Sequence, residues 1–254
     1  MKIKNVLVSQ PKPAELEKSP YYELVSNYNL TLDFKKFIQI EGVSSKEFRQ
    51  SKIRISDHTA VILTSRNAVD HFFRLCEELR VEVPDTMKYF CTSESTAYYL
   101  QKYVQFRKRK IFHGNQDVKQ LVEIIKKHKD EKFILPTSEN GKKTIMTLLD
   151  KQGIKYTKAV MYRTLPNDLS DLDPKKYDLL IFFSPSGVDS LFKNFPDFKQ
   201  NDTLVAAFGP STKKAVKASG LKLNIEAPTK KAPSMTMAIK EYLSKDQAPK
   251  KKKK

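Results

Sequence analysis

Five short segments of this chain gather hydroxyl side chains: Thr64-Ser65-Arg66, Thr92-Ser93-Glu94-Ser95-Thr96, Pro136-Thr137-Ser138, Ser184-Pro185-Ser186-Gly187 and Gly209-Pro210-Ser211-Thr212. Each follows a β-rich run, and each lies where a helical pattern can begin. A turn of this kind aims the free N–H groups and the positive dipole end of a helix at one edge of a parallel sheet. With Ser and Thr hydroxyls added, the chemistry on offer is anion binding. Any one of these residues taken singly is better explained as a helix cap. Five such turns together, on edges facing one another, would hold a large polyanion in a cleft.

Other chemistries find no support in the residue pattern. There is no GxGxxG or Walker A sequence, no HExxH and no paired CxxC. The four histidines, His58, His71, His113 and His128, are scattered, and His71 reads as a solvent-facing helix residue. No Ser-His-Asp arrangement can be proposed from spacing. Cys76 and Cys91 read as small buried hydrophobes rather than a disulfide. Metal, redox and nucleophile mechanisms are therefore disfavoured, and neither cofactor nor metal is expected. The reaction would be one in which the substrate does most of the work.

The elements that must position these turns alternate along the whole chain. Strands are expected at 5–9, 30–40, 59–64, 87–91, 110–112, 132–135, 155–162, 178–183, 203–207 and 222–226. Helical stretches lie between most of them, as at 67–80, 93–103 and 117–129. Ser19-Pro20, Ser184-Pro185 and Gly209-Pro210 place proline at helix starts, where its missing N–H costs nothing. Ala232-Pro233-Ser234 opens a last helix running to about 243. Strand–helix alternation of this kind predicts an α/β fold with parallel sheets covered by helices.

An internal repeat divides the chain. Ile62, Ser65, Val69, Asp70 and Phe73 recur as Ile181, Ser184, Val188, Asp189 and Phe192. Segment 90–96 corresponds to 206–212, and 132–141 more weakly to 4–13. This arrangement predicts one lobe from 42–162 and a discontinuous lobe from 1–38 with 166–244. The chain would then cross twice, along linker strands at 38–42 and 162–166, which can lie side by side. Two unrelated strand–helix units can also look this much alike.

Composition sets the outer bounds. The 254 residues suffice for two small domains, and 39% hydrophobic content with 15 Phe and 11 Tyr can fill real cores. No apolar run approaches the roughly 20 residues of a membrane span. Met1-Lys2-Ile3-Lys4 leads into a strand-like run without a signal-peptide core, so a cytoplasmic protein is expected. The net charge is +18, of which residues 245–254 hold +5 in a tail expected to be disordered. The rest still implies acidic partners.

Several of these segments resemble the uroporphyrinogen-III synthase family. They are Leu63-Thr64-Ser65-Arg66-Asn67-Ala68-Val69, Ala159-Val160-Met161-Tyr162-Arg163-Thr164, Ile181-Phe182-Phe183-Ser184-Pro185-Ser186-Gly187-Val188, Ala207-Phe208-Gly209-Pro210-Ser211-Thr212 and Glu226-Ala227-Pro228-Thr229. The likeness is collinear to about residue 243 and rests on order and spacing, since no single motif is highly specific. It implies two α/β lobes joined by a two-stranded linker, with the active site between them. The implied reaction closes linear hydroxymethylbilane to uroporphyrinogen III with inversion of the last pyrrole. The terminal hydroxyl departs to leave an azafulvene cation, which is attacked at a substituted carbon through a spiro intermediate. The task for the protein is positioning and electrostatics.

The resemblance assigns Tyr162 as the linker tyrosine that assists hydroxyl departure, a phenol having one hydrogen bond to donate. It places Thr96, Ser184 and Thr212 among hydroxyls lining the cleft, and offers Ser65, Arg66 and Ser186 for substrate carboxylates. Arg66 could grip a carboxylate with two prongs, or be a solvated charge at a helix start. The turn at 136–141 departs from the family in lacking an arginine, for which Lys142 and Lys143 could compensate. A monomer is expected, with possible transfer of hydroxymethylbilane from hydroxymethylbilane synthase. An inactive two-lobed binding or regulatory protein for an anionic ligand is the alternative. Specific nucleic-acid binding, suggested by Phe106-Arg107-Lys108-Arg109-Lys110 and the lysine tail, lacks a reading helix or stacking platform.

Overall fold

In the computed structural model, which describes residues 3–246 apart from 106, 108, 116, 140 and 142, strand and helix alternate throughout. The chain opens with β1 (Asn5–Val8), α1 (Tyr22–Tyr28) and β2 (Thr31–Phe34). It continues through β3 (Ile38–Gly42), α2 (Ser45–Gln50), β4 (Ala60–Leu63), α3 (Arg66–Glu78), β5 (Lys88–Cys91) and α4 (Glu94–Tyr99). Next come β6 (Ile111–His113), α5 (Val118–Lys126), β7 (Phe133–Ser138), α6 (Lys143–Lys151) and the long β8 (Tyr156–Pro166). The chain finishes with β9 (Leu179–Phe182), α7 (Pro185–Asn194), β10 (Leu204–Phe208), α8 (Pro210–Ala218), β11 (Ile225–Ala227) and α9 (Met235–Asp246). Contacts divide it into a first unit, Met1–Gln39 with Leu165–Lys254, and a second, Ile40–Thr164. No helix among the described residues is long and apolar enough to cross a membrane.

Each unit has one sheet, ordered β11-β10-β9-β1-β2 in the first and β3-β8-β7-β4-β5-β6 in the second. The ladders β2-β1-β9-β10-β11 and β8-β7-β4-β5-β6 are parallel throughout. Read from β11 and from β6, the two orders correspond strand for strand: β11 with β6, β10 with β5, β9 with β4, β1 with β7, β2 with β8. The internal repeat is therefore a repeat of topology as well as of local sequence. In both sheets the strand order reverses at the central pair, β4 beside β7 and β9 beside β1, where open α/β sheets leave a crevice at the carboxyl edge.

The central strands are near-continuous apolar runs whose successive side chains point to opposite faces, so both faces of each sheet are buried. Val61 and Leu63 pack with Phe72 and Leu75 of α3. Ala60 and Ile62 point the other way, to Leu121 and Ile125 of α5 and Leu149 of α6. In the first unit Val6, Val8 and Ile181 meet Ile239 of α9. Leu7, Leu180 and Phe182 meet Leu191 of α7 and Val216 of α8. Cys76 and Cys91 are buried free thiols whose pKa burial pushes up to about 12.

Several boundaries differ from the sequence reading: β7 runs on to Ser138, β11 begins only at Ile225, and α1 begins at Tyr22, so Pro20 lies ahead of its cap rather than in its first turn. Segment 30–40 is two strands, because β2 pairs with β1 while β3 leaves to lie beside β8 in the other sheet. The expected helix 93–103 is α4 followed by a 3₁₀ turn, Leu100–Lys102. The last helix runs past 243 to Asp246.

At the break between β2 and β3, Phe37 is buried and its carbonyl accepts the Ser190 hydroxyl at 2.6 Å and the Asn167 amide at 2.8 Å. Asn194 of α7 donates to the carbonyls of Asn167 (3.0 Å) and Ser190 (2.9 Å) and accepts from the Leu169 amide (3.0 Å). This cluster holds outgoing and returning chain together in the first unit. Unpaired buried amides and carbonyls cost about 1–3 kcal/mol each. Asn194→Ala should therefore lower the unfolding free energy of this unit by about 1–3 kcal/mol in urea titration. A change below about 0.5 kcal/mol, the usual range for an inconsequential surface substitution, would show that these bonds do not hold the crossing.

Candidate active site

The carboxyl edges of both sheets carry the hydroxyl-rich turns, and the repeat is reproduced there in the caps of α3 and α7. Ser65 ends β4 and caps α3, its Oγ accepting the Ala68 amide at 3.2 Å. Ser184 ends β9 and caps α7 in the same way, accepting the Gly187 amide at 3.1 Å. Ser93 caps α4, accepting the Thr96 amide at 3.3 Å. α8 instead begins at Gly209, whose φ of 85° is open to glycine and strained for other residues, with Pro210 following at the first helical position.

In the second unit Tyr162 lies on β8 and is 7% exposed. Its hydroxyl sits 3.5 Å from Ser65 Oγ. A contact this long leaves the phenol's proton available to a closer acceptor. Burial raises its pKa against the opposing effect of the Ser65 hydrogen bond, so the phenol stays protonated across the neutral range. Arg66 projects from the first turn of α3, exposed, with its guanidinium 5.2 Å from the centre of the Tyr99 ring. Tyr99 is in turn anchored through its hydroxyl to Asp70 at 2.9 and 3.0 Å, and Tyr103 donates to the same carboxylate at 2.6 Å. Arg66 is thus a cation resting on a braced aromatic shelf. Thr96 is buried, and its hydroxyl lies 3.0 Å from that of Ser93.

In the first unit Ser184 and Ser186 are half-buried at the start of α7, while Thr212 in the first turn of α8 is 2% exposed. Phe183 and Phe208, at the ends of neighbouring strands, stack with centroids 6.0 Å apart. Lys213 reaches Glu226 at 3.3 Å. Of the two lysines suggested in place of an arginine after β7, Lys142 lies outside the described residues and Lys143 opens α6, exposed.

A partner of Tyr162, and the arginine behind that partner, were missed by reasoning on sequence. His71, read as solvent-facing, is half-buried, and its ring stacks on that of Tyr162 at 5.1 Å with planes 16° apart. Arg74, one helical turn on, donates to His71 Nδ1 at 3.2 Å. A polar stripe His71-Arg74-Glu78 at i, i+3 and i+7 was the available signal, since it runs along one side of an otherwise core-facing helix. Nothing in its spacing pointed to Tyr162, 91 positions away from His71.

A family model described as uroporphyrinogen-III synthase HemD matches residues 36–237. No curated protein matches the chain by sequence. Among solved structures the chain is similar to uroporphyrinogen-III synthetase from Helicobacter pylori, at 19% identity over 95% of this chain and 99% of that one, with a TM-score of 0.63. It is similar also to a mutant uroporphyrinogen III synthase from Thermus thermophilus, at 16% identity over 95% and 99% of the two chains, with a TM-score of 0.56. At these identities the structures speak for the fold.

The cap and binding roles of Ser65 and Ser184 separate by substitution. Serine to alanine at a cap costs about 1 kcal/mol, and serine to glycine only a few tenths. Ser65→Ala and Ser184→Ala should each lower Tm by roughly 2–4 °C, with the glycine variants closer to wild type. Any loss of activity that alanine and glycine variants share then reports the hydroxyl's contact with substrate; loss confined to the alanine variants would assign both serines to capping alone.

Proposed function

The chain belongs to the uroporphyrinogen-III synthase family, cyclising lyases of tetrapyrrole biosynthesis that take a small-molecule substrate, and on that premise we propose that Tyr162 is the proton donor to the departing hydroxyl of hydroxymethylbilane. The observation that carries this reading is a buried, protonated phenol on β8 beside the carboxyl edge of its sheet, with only a long contact to Ser65, among the described residues, to compete for its proton. Donation from the phenol turns the departing hydroxyl into water and leaves the azafulvene cation on the substrate. The cation then reacts within the same molecule, so no protein nucleophile is called for.

The remaining residues serve the substrate's carboxylates. Arg66 offers a charged, two-pronged grip, and the Tyr99 shelf limits the freedom it loses on binding. Ser65, Ser184 and Ser186 add hydroxyls beside the free amides of α3 and α7. Thr96 and Thr212, being buried, act by holding their turns: Thr96 through Ser93, and Thr212 from within the first turn of α8. The reading extends to a cytoplasmic monomer organised as lobes 1–38 with 166–244 and 42–162, joined by linker strands, and receiving hydroxymethylbilane from hydroxymethylbilane synthase. The basic charge that remains without the lysine tail supports a polyanionic substrate.

The test is ring closure itself. Hydroxymethylbilane is generated in situ, the protein added, the products oxidised and the type I and type III isomers separated. Type III should predominate, and Tyr162→Phe should lower kcat about 100-fold, the lower range for a general acid. Arg66→Ala should raise KM about tenfold, as expected for one charge-assisted hydrogen-bonded contact, with a smaller change in kcat. Type III at the wild-type rate from Tyr162→Phe would remove the phenol as donor. Type I alone at the spontaneous rate from folded wild-type protein would leave the two-lobed anion binder.

A further inference from the structure

The structure assigns a positioning role to His71 and Arg74: together with the space left by Gly42, they fix the direction in which β8 presents the Tyr162 phenol. This rests on the reading of Tyr162 as the proton donor.

The need for such a device lies in the backbone. β7 and β8 run in register from Phe133 opposite Tyr156 to Thr137 opposite Val160, and then Ser138 stands opposite Tyr162. Met161 is the extra residue, a bulge that turns the strand and re-aims the side chain that follows it. A bulge leaves backbone groups without ladder partners, and these must be satisfied elsewhere if the local geometry is to hold. Here the Met161 carbonyl accepts the Val43 amide at 3.0 Å and Arg74 Nη2 at 3.3 Å. The same Nη2 donates to the Val43 carbonyl at 2.8 Å. One guanidinium therefore bridges the carbonyls of both linker segments at the bulge.

Gly42 makes that bridge possible. A Cβ at position 42 would lie 2.7–2.9 Å from three atoms of the guanidinium, so any side chain there would displace it. The other two nitrogens of Arg74 are also engaged. Nη1 bonds Glu78, and Nε donates to His71 Nδ1 at 3.2 Å. Accepting at Nδ1 puts the proton of the neutral imidazole on Nε2 and sets the plane of the ring. That plane is the one against which Tyr162 stacks. Bulge carbonyl, guanidinium, imidazole and phenol thus form one connected set, built on the rigid fork of an arginine that lysine cannot imitate.

The arrangement requires a neutral His71. An imidazolium would present N–H to the Arg74 N–H and add a like charge beside it. The titratable and charged groups facing His71 are Arg74, Asp70 and Glu78 on α3 and Tyr162 on β8. Burial and Arg74 lower its pKa, while Asp70 and Glu78 oppose them. The imidazole therefore stays neutral through its ordinary pKa of 6.5 and protonates only below it. Release of the stack, and the fall in rate that follows, belong to that acidic range.

The test is a double-mutant cycle on the full chain with the ring-closure assay. His71→Ala should lower kcat about tenfold with KM within about twofold, a modest loss for a misdirected donor. In the Tyr162→Phe background, where there is no donor left to position, the same change should cost less than about twofold. Gly42→Ala, which leaves both rings in place and displaces the guanidinium, should reproduce the loss. His71→Phe keeps a ring in the stack and should remove the wild-type fall in kcat below pH 6.5. Equal loss on His71→Ala in both backgrounds overturns the positioning role while leaving Tyr162 as donor. A wild-type rate for Tyr162→Phe overturns the donor and the positioning role together. Thermal unfolding is followed for every variant; if His71→Ala does not fold, Gly42→Ala and His71→Phe carry the same cycle.

Discussion

A chain that leaves one sheet, builds a second and returns must satisfy its backbone polar groups at both crossings, where neither sheet's ladder is continuous. The solution here is local at each end. In the first unit, Ser190 and Asn194 of α7 supply hydroxyl and amide to the carbonyls and amides around Phe37 and Asn167. In the second, the Val43 amide and the Arg74 guanidinium complete the carbonyl of Met161. The pairs 37 with 167 and 43 with 161 progress in opposite senses, so outgoing and returning segments run antiparallel. Their partners are donors carried on helices, and this makes the packing of α3 and α7 a condition for the geometry of the linker strands.

The same two helices open at the two capping serines. α3 begins at Ser65 and contains Asp70, His71 and Arg74; α7 begins at Ser184 and contains Ser190 and Asn194. Each helix thus has one end at the carboxyl edge of its sheet and an interior that holds a crossing. One topological unit, used twice, produces this coincidence, because a helix following the central strand must start at the carboxyl edge and run back across the face of its own sheet. The repeat that the sequence displays at Ile62, Ser65, Val69, Asp70 and Phe73 is mostly this requirement: core contacts on one side, a cap at the start.

The electrostatic design follows from what the reaction asks. Loss of a hydroxyl needs a proton that is present at neutral pH and surroundings tolerant of a developing cation. On the proposed reading a phenol kept protonated by burial would supply the first, without the competition a strong hydrogen-bond partner would bring. Unpaired cations beside the phenol would oppose the second, and Arg74 has its charge distributed over two carbonyls, a histidine and Glu78. Nearby, Arg163 is likewise paired, to Glu47 and at 3.1 Å to Glu139. Arg66, by contrast, is exposed, at the edge where carboxylates are to be met.

Strand–helix alternation, parallel sheets, capping serines and buried cysteines were all legible in the residues, because period-two and helical patterns, cap chemistry and the burial preference of free thiols are local properties. Family membership was legible too, carried by collinear turns rather than by any one motif. A crossing strand at 38–42 was expected from the repeat, but the break that separates it from β2 within 30–40 was not legible, since both halves have strand character and only the partner sheet separates them. The surroundings of Tyr162 were decided entirely by tertiary structure. The bulge at Met161 exists only relative to β7, and the His71 stack only because α3 covers the sheet beside β8. A one-residue change of register, or a helix turned by a fraction of a turn, would leave the sequence pattern intact and aim the phenol elsewhere.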